Sequence, residues 1–119
     1  MVFLLDDDED LRESLGDLIA TVDGGCVKAG SVREMQSHAG EVLNCSLALL
    51  DINLGEGHPS GLDACAWLHA NAFPGRIAFL TGHGHAHPLV RQAEALGGVD
   101  VFSKPLEVPV LMKLLHSRP

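Results

Sequence analysis

Basic residues are scarce in this sequence. Eight lysine and arginine residues stand against sixteen aspartate and glutamate residues among 119, so the formal net charge is −8. A surface that binds the nucleic-acid backbone needs clustered Lys and Arg side chains. The balance therefore argues against direct nucleic-acid binding by this chain, and it has no bearing on a DNA-binding domain attached outside it.

The hallmarks of membrane and secreted proteins are also missing. No apolar run in the sequence is long enough to span a bilayer. Met1 leads directly into an apolar strand, without the basic segment and apolar core of a secretory signal. These absences predict a cytoplasmic protein without a membrane partner.

The three cysteines form no recognisable zinc or disulfide framework. Cys26, Cys45 and Cys65 are odd in number, widely spaced and without a CxxC pair. Each lies in an apolar context, which favours a buried, reduced thiol over a metal ligand or a disulfide.

What the chain does contain is a regular alternation of two hydrophobic patterns. Apolar residues make up 46% of the sequence, enough for the core of one domain over residues 1–119. The predicted strands cover about 2–5, 26–29, 46–50, 76–80 and 99–102, and the predicted helices about 9–21, 31–42, 61–71, 88–96 and 106–117. Five β-α repeats predict an α/β fold in which helices cover both faces of a parallel five-stranded sheet, making three layers.

Four of the predicted strands end in reactive side chains. The first strand runs into Asp6 and Asp7, the third into Asp51 and the fourth into Thr81, and the fifth leads through a serine to Lys104. The carboxyl ends of parallel strands open on one edge of the sheet, where ligands bind. We therefore expect these five side chains to gather at one site.

Three carboxylates at one edge need a counter-charge. At about 4 Å and an effective dielectric of about 20, each like-charged pair repels by roughly 4 kcal/mol. An all-oxygen ligand set points to Mg²⁺, with Mn²⁺ as a second possibility, and the ammonium of Lys104 supplies a further positive charge. Such a site attracts a phosphoryl group, and one carboxylate can serve as the nucleophile that forms an aspartyl phosphate.

The same residues carry a family resemblance over essentially the whole chain. The sequence resembles the receiver domains of two-component response regulators. The matching motifs are Leu-Leu-Asp6-Asp7-Asp8-Glu-Asp-Leu-Arg12, Leu-Leu-Asp51-Ile-Asn53-Leu, Phe-Leu-Thr81-Gly82-His-Gly and Ser-Lys104-Pro105. The resemblance implies a flavodoxin-like (βα)5 fold with strand order 2-1-3-4-5, and a cis peptide between Lys104 and Pro105.

The resemblance also implies a role for each site residue. Asp51 resembles the phosphoacceptor, and Asp6 and Asp7 resemble the acidic pair that holds Mg²⁺, Asp7 directly and Asp6 mainly through water. The Asp51 carboxylate and the backbone carbonyl of Asn53 would be further metal ligands. The hydroxyl of Thr81 would turn toward the phosphoryl group, and Lys104 resembles the ion-pairing lysine.

The function implied by the resemblance is that of a signalling module. A sensor histidine kinase or a phosphotransfer protein would donate the phosphoryl group. Phosphorylation would shift an equilibrium between two conformations of the domain. This shift would alter the face formed by the fourth helix, fifth strand and fifth helix (the 4-5-5 face), where an effector or partner binds. On this interpretation the chain is not an enzyme, since it would catalyse only its own phosphorylation and dephosphorylation.

Two features depart from the family pattern. Receivers usually place Tyr or Phe three residues before the lysine, where this chain has Val101. Phe102 is one position away, and one step along a strand reverses the face. The loop after Asp51 is about two residues longer than the common pattern, which places extra residues beside the site.

Two other functions remain open from the sequence. Asp6-Asp7-Asp8 contains the DxD motif of haloacid-dehalogenase-type phosphatases, although Asp10 stands where that motif expects Thr or Val and there is no room for a cap domain. A receiver-like interaction module without phosphorylation is the other alternative. A free-standing receiver and a receiver within a larger regulator or hybrid kinase are equally compatible with the sequence.

A group of histidines offers a competing metal site. They are His58, His83, His85 and His87. No carboxylate or cysteine partner accompanies them at ligand spacing, so we interpret them as solvated loop residues.

Overall fold

A computed structural model describes residues 1–84 and 86–117. His85, one of the histidines considered above, lies outside the described residues, as do residues 118–119 of the predicted domain. The elements in chain order are β1 (Val2–Leu5), α1 (Glu9–Asp23), β2 (Cys26–Ala29), α2 (Val32–Ser37), α3 (Ala39–Leu43), β3 (Leu47–Asp51), α4 (Gly61–Ala70), β4 (Arg76–Thr81), α5 (Pro88–Ala95), β5 (Asp100–Ser103) and α6 (Val108–Ser117).

The five strands form one parallel sheet. Its strand order is β2-β1-β3-β4-β5, which confirms the order implied by the family resemblance. Asp51 pairs with Leu80, and Thr81 pairs with Ser103. The polar residues that follow the apolar runs therefore reach the same edge of the sheet.

Alternate residues of each strand face opposite sides of the sheet and build two apolar clusters. Phe3 and Leu5 pack in one cluster with residues of α2, α3, α4 and α5. Val2 and Leu4 pack in the other with residues of α1 and α6. The three central strands β1, β3 and β4 are buried on both faces, as expected of a parallel sheet between two helical layers, whereas the edge strands β2 and β5 are partly exposed. The predicted three-layer α/β architecture is thereby confirmed.

The prediction of one continuous second helix over about 31–42 is wrong. The segment is divided into α2 and α3 at His38, whose φ of −115° and ψ of 31° lie outside the helical range. The Ser37 hydroxyl donates a 2.6 Å hydrogen bond to the Glu34 carbonyl. Small polar side chains that bond to nearby backbone groups weaken a helix, and Gly40 adds a second poor helix former. The fourth and fifth helices of the predicted pattern are consequently α5 and α6.

No helix among residues 1–84 and 86–117 combines the length and apolarity that a membrane crossing requires.

All three cysteines are free thiols. Cys45 and Cys65 are buried, whereas Cys26 at the start of β2 is half-buried. Burial raises the pKa of each thiol, and it raises the pKa of Cys26 to about 11. The thiolate is the reactive form, so the folded chain holds its cysteines in an unreactive state.

We expect iodoacetamide at pH 8 to leave the folded protein unmodified while it labels an ordinary exposed thiol. With a pKa near 11, about 0.1% of Cys26 is thiolate at pH 8, against roughly a quarter of a thiol with a pKa of about 8.5. Intact-mass spectrometry measures the number of added groups. The control is the same protein in urea, which should gain three groups. Rapid stoichiometric labelling of the folded chain would contradict the expectation.

Candidate metal and phosphoryl site at the carboxyl edge of the sheet

Three polar side chains are buried at the carboxyl edge of the sheet. Asp51 is the last residue of β3, Thr81 is the last residue of β4, and Asp6 directly follows β1. Their exposed fractions are 4%, 3% and 0%. Because each side chain follows an apolar run that is fixed between two helical layers, the backbone beneath it is rigid. Asp7 follows Asp6 and is exposed at the rim.

The carboxylates of Asp6, Asp7 and Asp51 converge. Each offers an oxygen atom, and these oxygens lie within 4.8 Å of one another. Among the described residues no other group of three His, Cys, Asp or Glu side chains is close enough to hold a metal ion. Hard carboxylate oxygens at this spacing suit Mg²⁺, which commonly takes one or two carboxylates and keeps several waters. The donor set therefore fits the cation that the sequence predicted.

Lys104 supplies a positive charge inside the acidic cluster. Its Nζ lies 2.9 Å from Asp6 Oδ2 and 2.9 Å from Asp51 Oδ2. Its backbone N–H donates a 2.8 Å hydrogen bond to the Thr81 carbonyl, which attaches the residue to the end of β4. Burial opposes the charge of the ammonium, but its hydrogen bonds to Asp6 and Asp51 prevail and raise the pKa of Lys104. The peptide between Lys104 and Pro105 is cis, which confirms that expectation.

The Asp51 carboxyl is hard to ionise in this environment. Burial raises its pKa, the Lys104 ammonium lowers it, and repulsion from Asp6 and Asp7 raises it again, so that the net pKa is about 7. Burial dominates, because removing a carboxylate from water disfavours its charged form. A single ammonium shared between two carboxylates does not fully compensate this cost. A divalent cation beside Asp51 would favour the ionised, nucleophilic form.

The Thr81 hydroxyl is bonded to the loop that follows β4. Its Oγ1 accepts a 2.9 Å hydrogen bond from the His83 N–H and lies 3.4 Å from the His83 carbonyl, to which it can donate. Thr81 is thus brought to the correct edge of the sheet, while its hydroxyl holds the loop. A turn of the hydroxyl toward a ligand would break these two contacts.

An open cavity of about 350 Å³ lies above the acidic cluster. It is lined by Asp7, Asp51, Asn53, Gly55, Glu56, Gly82, His83 and Lys104. Four of the predicted site residues therefore line one cavity, with Asp6 buried beside them. A cavity of this size is large enough for a phosphoryl group and a hydrated cation.

The other four lining residues were not predicted as site residues; two are glycines and two carry polar side chains. Glu56 belongs to the long loop after β3, and His83 was interpreted as a solvated loop histidine. The His83 ring lies 3.2 Å from the Asn53 side-chain nitrogen across the cavity, and it stacks on the His87 ring with centroids 4.3 Å apart. The sequence carried one usable signal for His83, its position two residues after Thr81. The position of Glu56 and the contacts of the His83 ring depend on loop conformation, which the hydrophobic periodicity of strands does not encode.

A close backbone approach explains the glycine at the start of α4. A Cβ atom on Gly61 would lie 2.2 Å from the Asp51 carbonyl oxygen. The Gly61 N–H donates a 2.8 Å hydrogen bond to the Ile52 carbonyl. Glycine alone permits this contact, and it attaches the residues after Asp51 to the following helix.

The two hydrophobic residues before Lys104 face opposite layers. Val101 packs at the edge of the cluster that contains α5, and Phe102 packs at the edge of the cluster that contains α6. The aromatic ring is therefore on the other side of the sheet from Val101, as the strand alternation predicted.

Curated proteins include one clear relative of this chain. Nodulation protein W of Bradyrhizobium diazoefficiens is 39% identical over 106 residues, which are 88% of this chain and 44% of that protein. The chain therefore spans less than half the length of this relative.

Many solved structures share the fold. The receiver domain of NtrX from Brucella abortus superposes with a TM-score of 0.78 at 18% identity and covers 98% of this chain and 99% of that chain. A response regulator receiver domain protein from Clostridium thermocellum gives a TM-score of 0.79 at 20% identity, over 97% and 90% of the two chains. At these identities the likeness establishes the fold alone.

The family follows from a match along almost the whole sequence. A family model described as the response regulator receiver domain matches residues 2–116. That range contains all five strands and the three convergent carboxylates with their lysine. The chain therefore belongs to the response regulator receiver domains, which are signalling domains of two-component systems.

Proposed function

We propose that the protein accepts a phosphoryl group on Asp51 from the phosphohistidine of a sensor histidine kinase or phosphotransfer protein, with Mg²⁺, in the cytoplasm. One observation carries the proposal: the Lys104 ammonium lies 2.9 Å from both Asp6 and Asp51 beside a third carboxylate. Asp51 borders the open cavity, so an incoming phosphorus atom can reach it.

The transfer is a substitution at phosphorus. An oxygen of the Asp51 carboxylate attacks and forms a new O–P bond, while the P–N bond to the donor imidazole breaks. The electron pair of that bond goes to the imidazole nitrogen, which takes up a proton. The Lys104 ammonium and the Thr81 hydroxyl would stabilise charge on the phosphoryl oxygens.

The acidic residues would hold the cation during this step. Asp7 at the rim and the backbone carbonyl of Asn53 would bind Mg²⁺ directly, and Asp6 would act mainly through water. When bound, Mg²⁺ offsets the negative charge of the carboxylates and of the phosphoryl oxygens. These residues bring hard oxygen ligands to the site, which is the ligand type the cation requires.

The output would pass through the loop between β4 and α5. Thr81 must release the His83 backbone before its hydroxyl can reach a phosphoryl oxygen. That release would change the loop that leads into α5, and so the face formed by α5, β5 and α6, which corresponds to the 4-5-5 face of the sequence prediction. A partner or effector that reads this face would sense the phosphorylation state.

The haloacid-dehalogenase alternative fits the site less well. Its nucleophile would be Asp6, which is fully buried. One Asp6 oxygen accepts a 2.9 Å hydrogen bond from the Asp8 N–H and the other is paired with Lys104. Asp51 lines the cavity and is better placed to attack a substrate. The complete set of acids, threonine and lysine also argues against a module that has lost phosphorylation.

We expect Mg²⁺ and acetyl phosphate to add one phosphoryl group to the wild-type chain and none to Asp51→Asn, because the amide is not a nucleophile. Intact-mass spectrometry gives the stoichiometry. The matched control is Asp10→Asn, an exposed acid in the first turn of α1, which should be phosphorylated like the wild type. Phosphorylation that survives in Asp51→Asn would refute the assignment, and turnover of a phosphomonoester by that variant would favour the phosphatase.

Replacing the lysine tests charge stabilisation. We expect Lys104→Ala to slow phosphorylation by acetyl phosphate on the order of a hundredfold, the typical cost of removing one preorganised donor from a transition state. The rate comes from quenched samples analysed by mass. Lys113→Ala, which removes an exposed ammonium from α6, should keep the wild-type rate. Equal rates for both variants would exclude a role for Lys104 in the transfer.

The raised pKa of Asp51 gives a pH dependence of stability. An aspartate titrates near 3.9 when unfolded, and burial raises the pKa of Asp51 to about 7 in the folded chain. The folded state therefore binds more protons between about pH 4 and pH 7, and its stability falls as the pH rises through that window.

In EDTA we therefore expect Asp51→Asn to stabilise the protein, and to do so more at pH 8 than at pH 5. The asparagine cannot ionise, so it avoids the growing cost of a buried charge. Urea unfolding at the two pH values measures the difference in free energy of unfolding between variant and wild type. A difference that is independent of pH would show that Asp51 does not titrate in this range.

A further inference from the structure

We propose that Arg12 is a positioning residue that fixes the direction of the Asp7 carboxylate and thereby sets the affinity of the site for Mg²⁺. The inference rests on the proposed function, because it concerns the same cation. Arg12 is the fourth residue of α1 and is half-buried. It is the last residue of the first sequence motif, and no role was predicted for it.

The Asp7 side chain is exposed, so packing does not determine where it points. The backbone sets the direction of its Cα–Cβ bond, from which the carboxylate extends, and specifically the two peptide groups that flank its Cα do so. The first of these groups carries the Asp6 carbonyl, and Arg12 Nη1 donates a 2.9 Å hydrogen bond to that oxygen. The second carries the Asp8 N–H, which donates a 2.9 Å hydrogen bond to Asp6 Oδ1. With both peptide groups held, the backbone torsion angles φ and ψ of Asp7 are restrained, and so is the point from which its carboxylate reaches the site.

Arg12 is itself held in place from two sides. Its backbone N–H donates a 2.8 Å hydrogen bond to the Asp8 carbonyl in the first turn of α1. Its guanidinium passes over Gly30 so closely that a Cβ atom there would lie 2.8 Å from Nη1. The absence of a side chain at Gly30 thus leaves the space that the guanidinium occupies between β1 and the start of α2.

The contact of Arg12 differs in kind from that of Lys104. Lys104 pairs with carboxylate oxygens of Asp6 and Asp51, whereas Arg12 bonds to a backbone carbonyl. Arg12 therefore leaves the carboxylate oxygens available and acts on the cation only through the orientation of Asp7. Groups that orient a metal ligand without touching the metal typically change its affinity by ten- to a hundredfold when removed.

The test measures Mg²⁺ binding by isothermal titration calorimetry, together with melting temperatures with and without Mg²⁺. Arg12→Met keeps the aliphatic stem and removes the donor, and Arg12→Lys restores a donor. Lys113→Ala, on the exposed side of α6, controls for the loss of one positive charge. We expect at least tenfold weaker binding in Arg12→Met, partial recovery in Arg12→Lys and wild-type binding in Lys113→Ala.

Phosphorylation kinetics separate positioning from a catalytic role. With acetyl phosphate, Arg12→Met should need at least tenfold more Mg²⁺ for half-maximal rate, while its rate at saturating Mg²⁺ stays within about twofold of wild type. If Arg12→Met does not fold, Gly30→Ala provides the second variant, since its methyl group would displace the guanidinium. It should also weaken Mg²⁺ binding.

The outcomes distinguish failure of the role of Arg12 from failure of the proposed function. Wild-type Mg²⁺ affinity in Arg12→Met would overturn the role of Arg12, even if the melting temperature of the variant is lowered. The same holds for Gly30→Ala if only that variant folds. Either result would leave the proposed function intact. A wild-type chain that neither binds Mg²⁺ nor becomes phosphorylated would overturn both.

Discussion

The organisation of this protein depends on keeping like charges close together and largely out of water. Two carboxylates, Asp6 and Asp51, are buried within reach of each other, and Asp7 joins them from the rim. Desolvation and mutual repulsion both oppose this arrangement, and the Lys104 ammonium offsets only part of the cost. The acids and the lysine come from the first, third and fifth β-α units. The charge balance is therefore complete only when the whole sheet has formed.

Much of this arrangement follows from the sequence by one rule. In a parallel sheet buried on both faces, an apolar run must end where the polar edge begins, so the first polar residue after each run marks that edge. The rule is sufficient to bring Asp6, Asp51 and Thr81 together, and the residue after the last strand, Lys104, completes the group. Strand order and the cis peptide came from the family resemblance and not from periodicity.

The features that could not be predicted from the sequence are those determined by loop conformation and by local competition for hydrogen bonds. The break at His38 results from weak helix formers next to a serine that bonds to its own turn. Glu56 and His83 enter the cavity because two loops fold toward each other, and neither hydrophobic period encodes that geometry. The hydrogen bond from Arg12 to the Asp6 carbonyl was not predicted either. A basic residue near acids suggests an ion pair with a carboxylate, but here the acceptor is a backbone carbonyl.

Val101 stands where receivers usually carry an aromatic residue, and this bears on how the proposed site and the α5–β5–α6 face would communicate. Val101 has no ring that could alternate between a buried and an exposed rotamer, and Phe102 cannot replace it because it faces the other layer. A chain of contacts connects Thr81 to the start of α5. The Thr81 hydroxyl bonds to the His83 backbone, and the His83 ring stacks on the His87 ring. The His87 side chain then caps α5 by accepting a hydrogen bond from the N–H of Leu89, the second residue of that helix. The rearrangement of Thr81 in the proposed function would therefore act directly on groups that fix the start of α5. Since the site and the helix share this short loop, a change of hydrogen bonding at one end would alter the helix terminus at the other without any switch of an aromatic side chain.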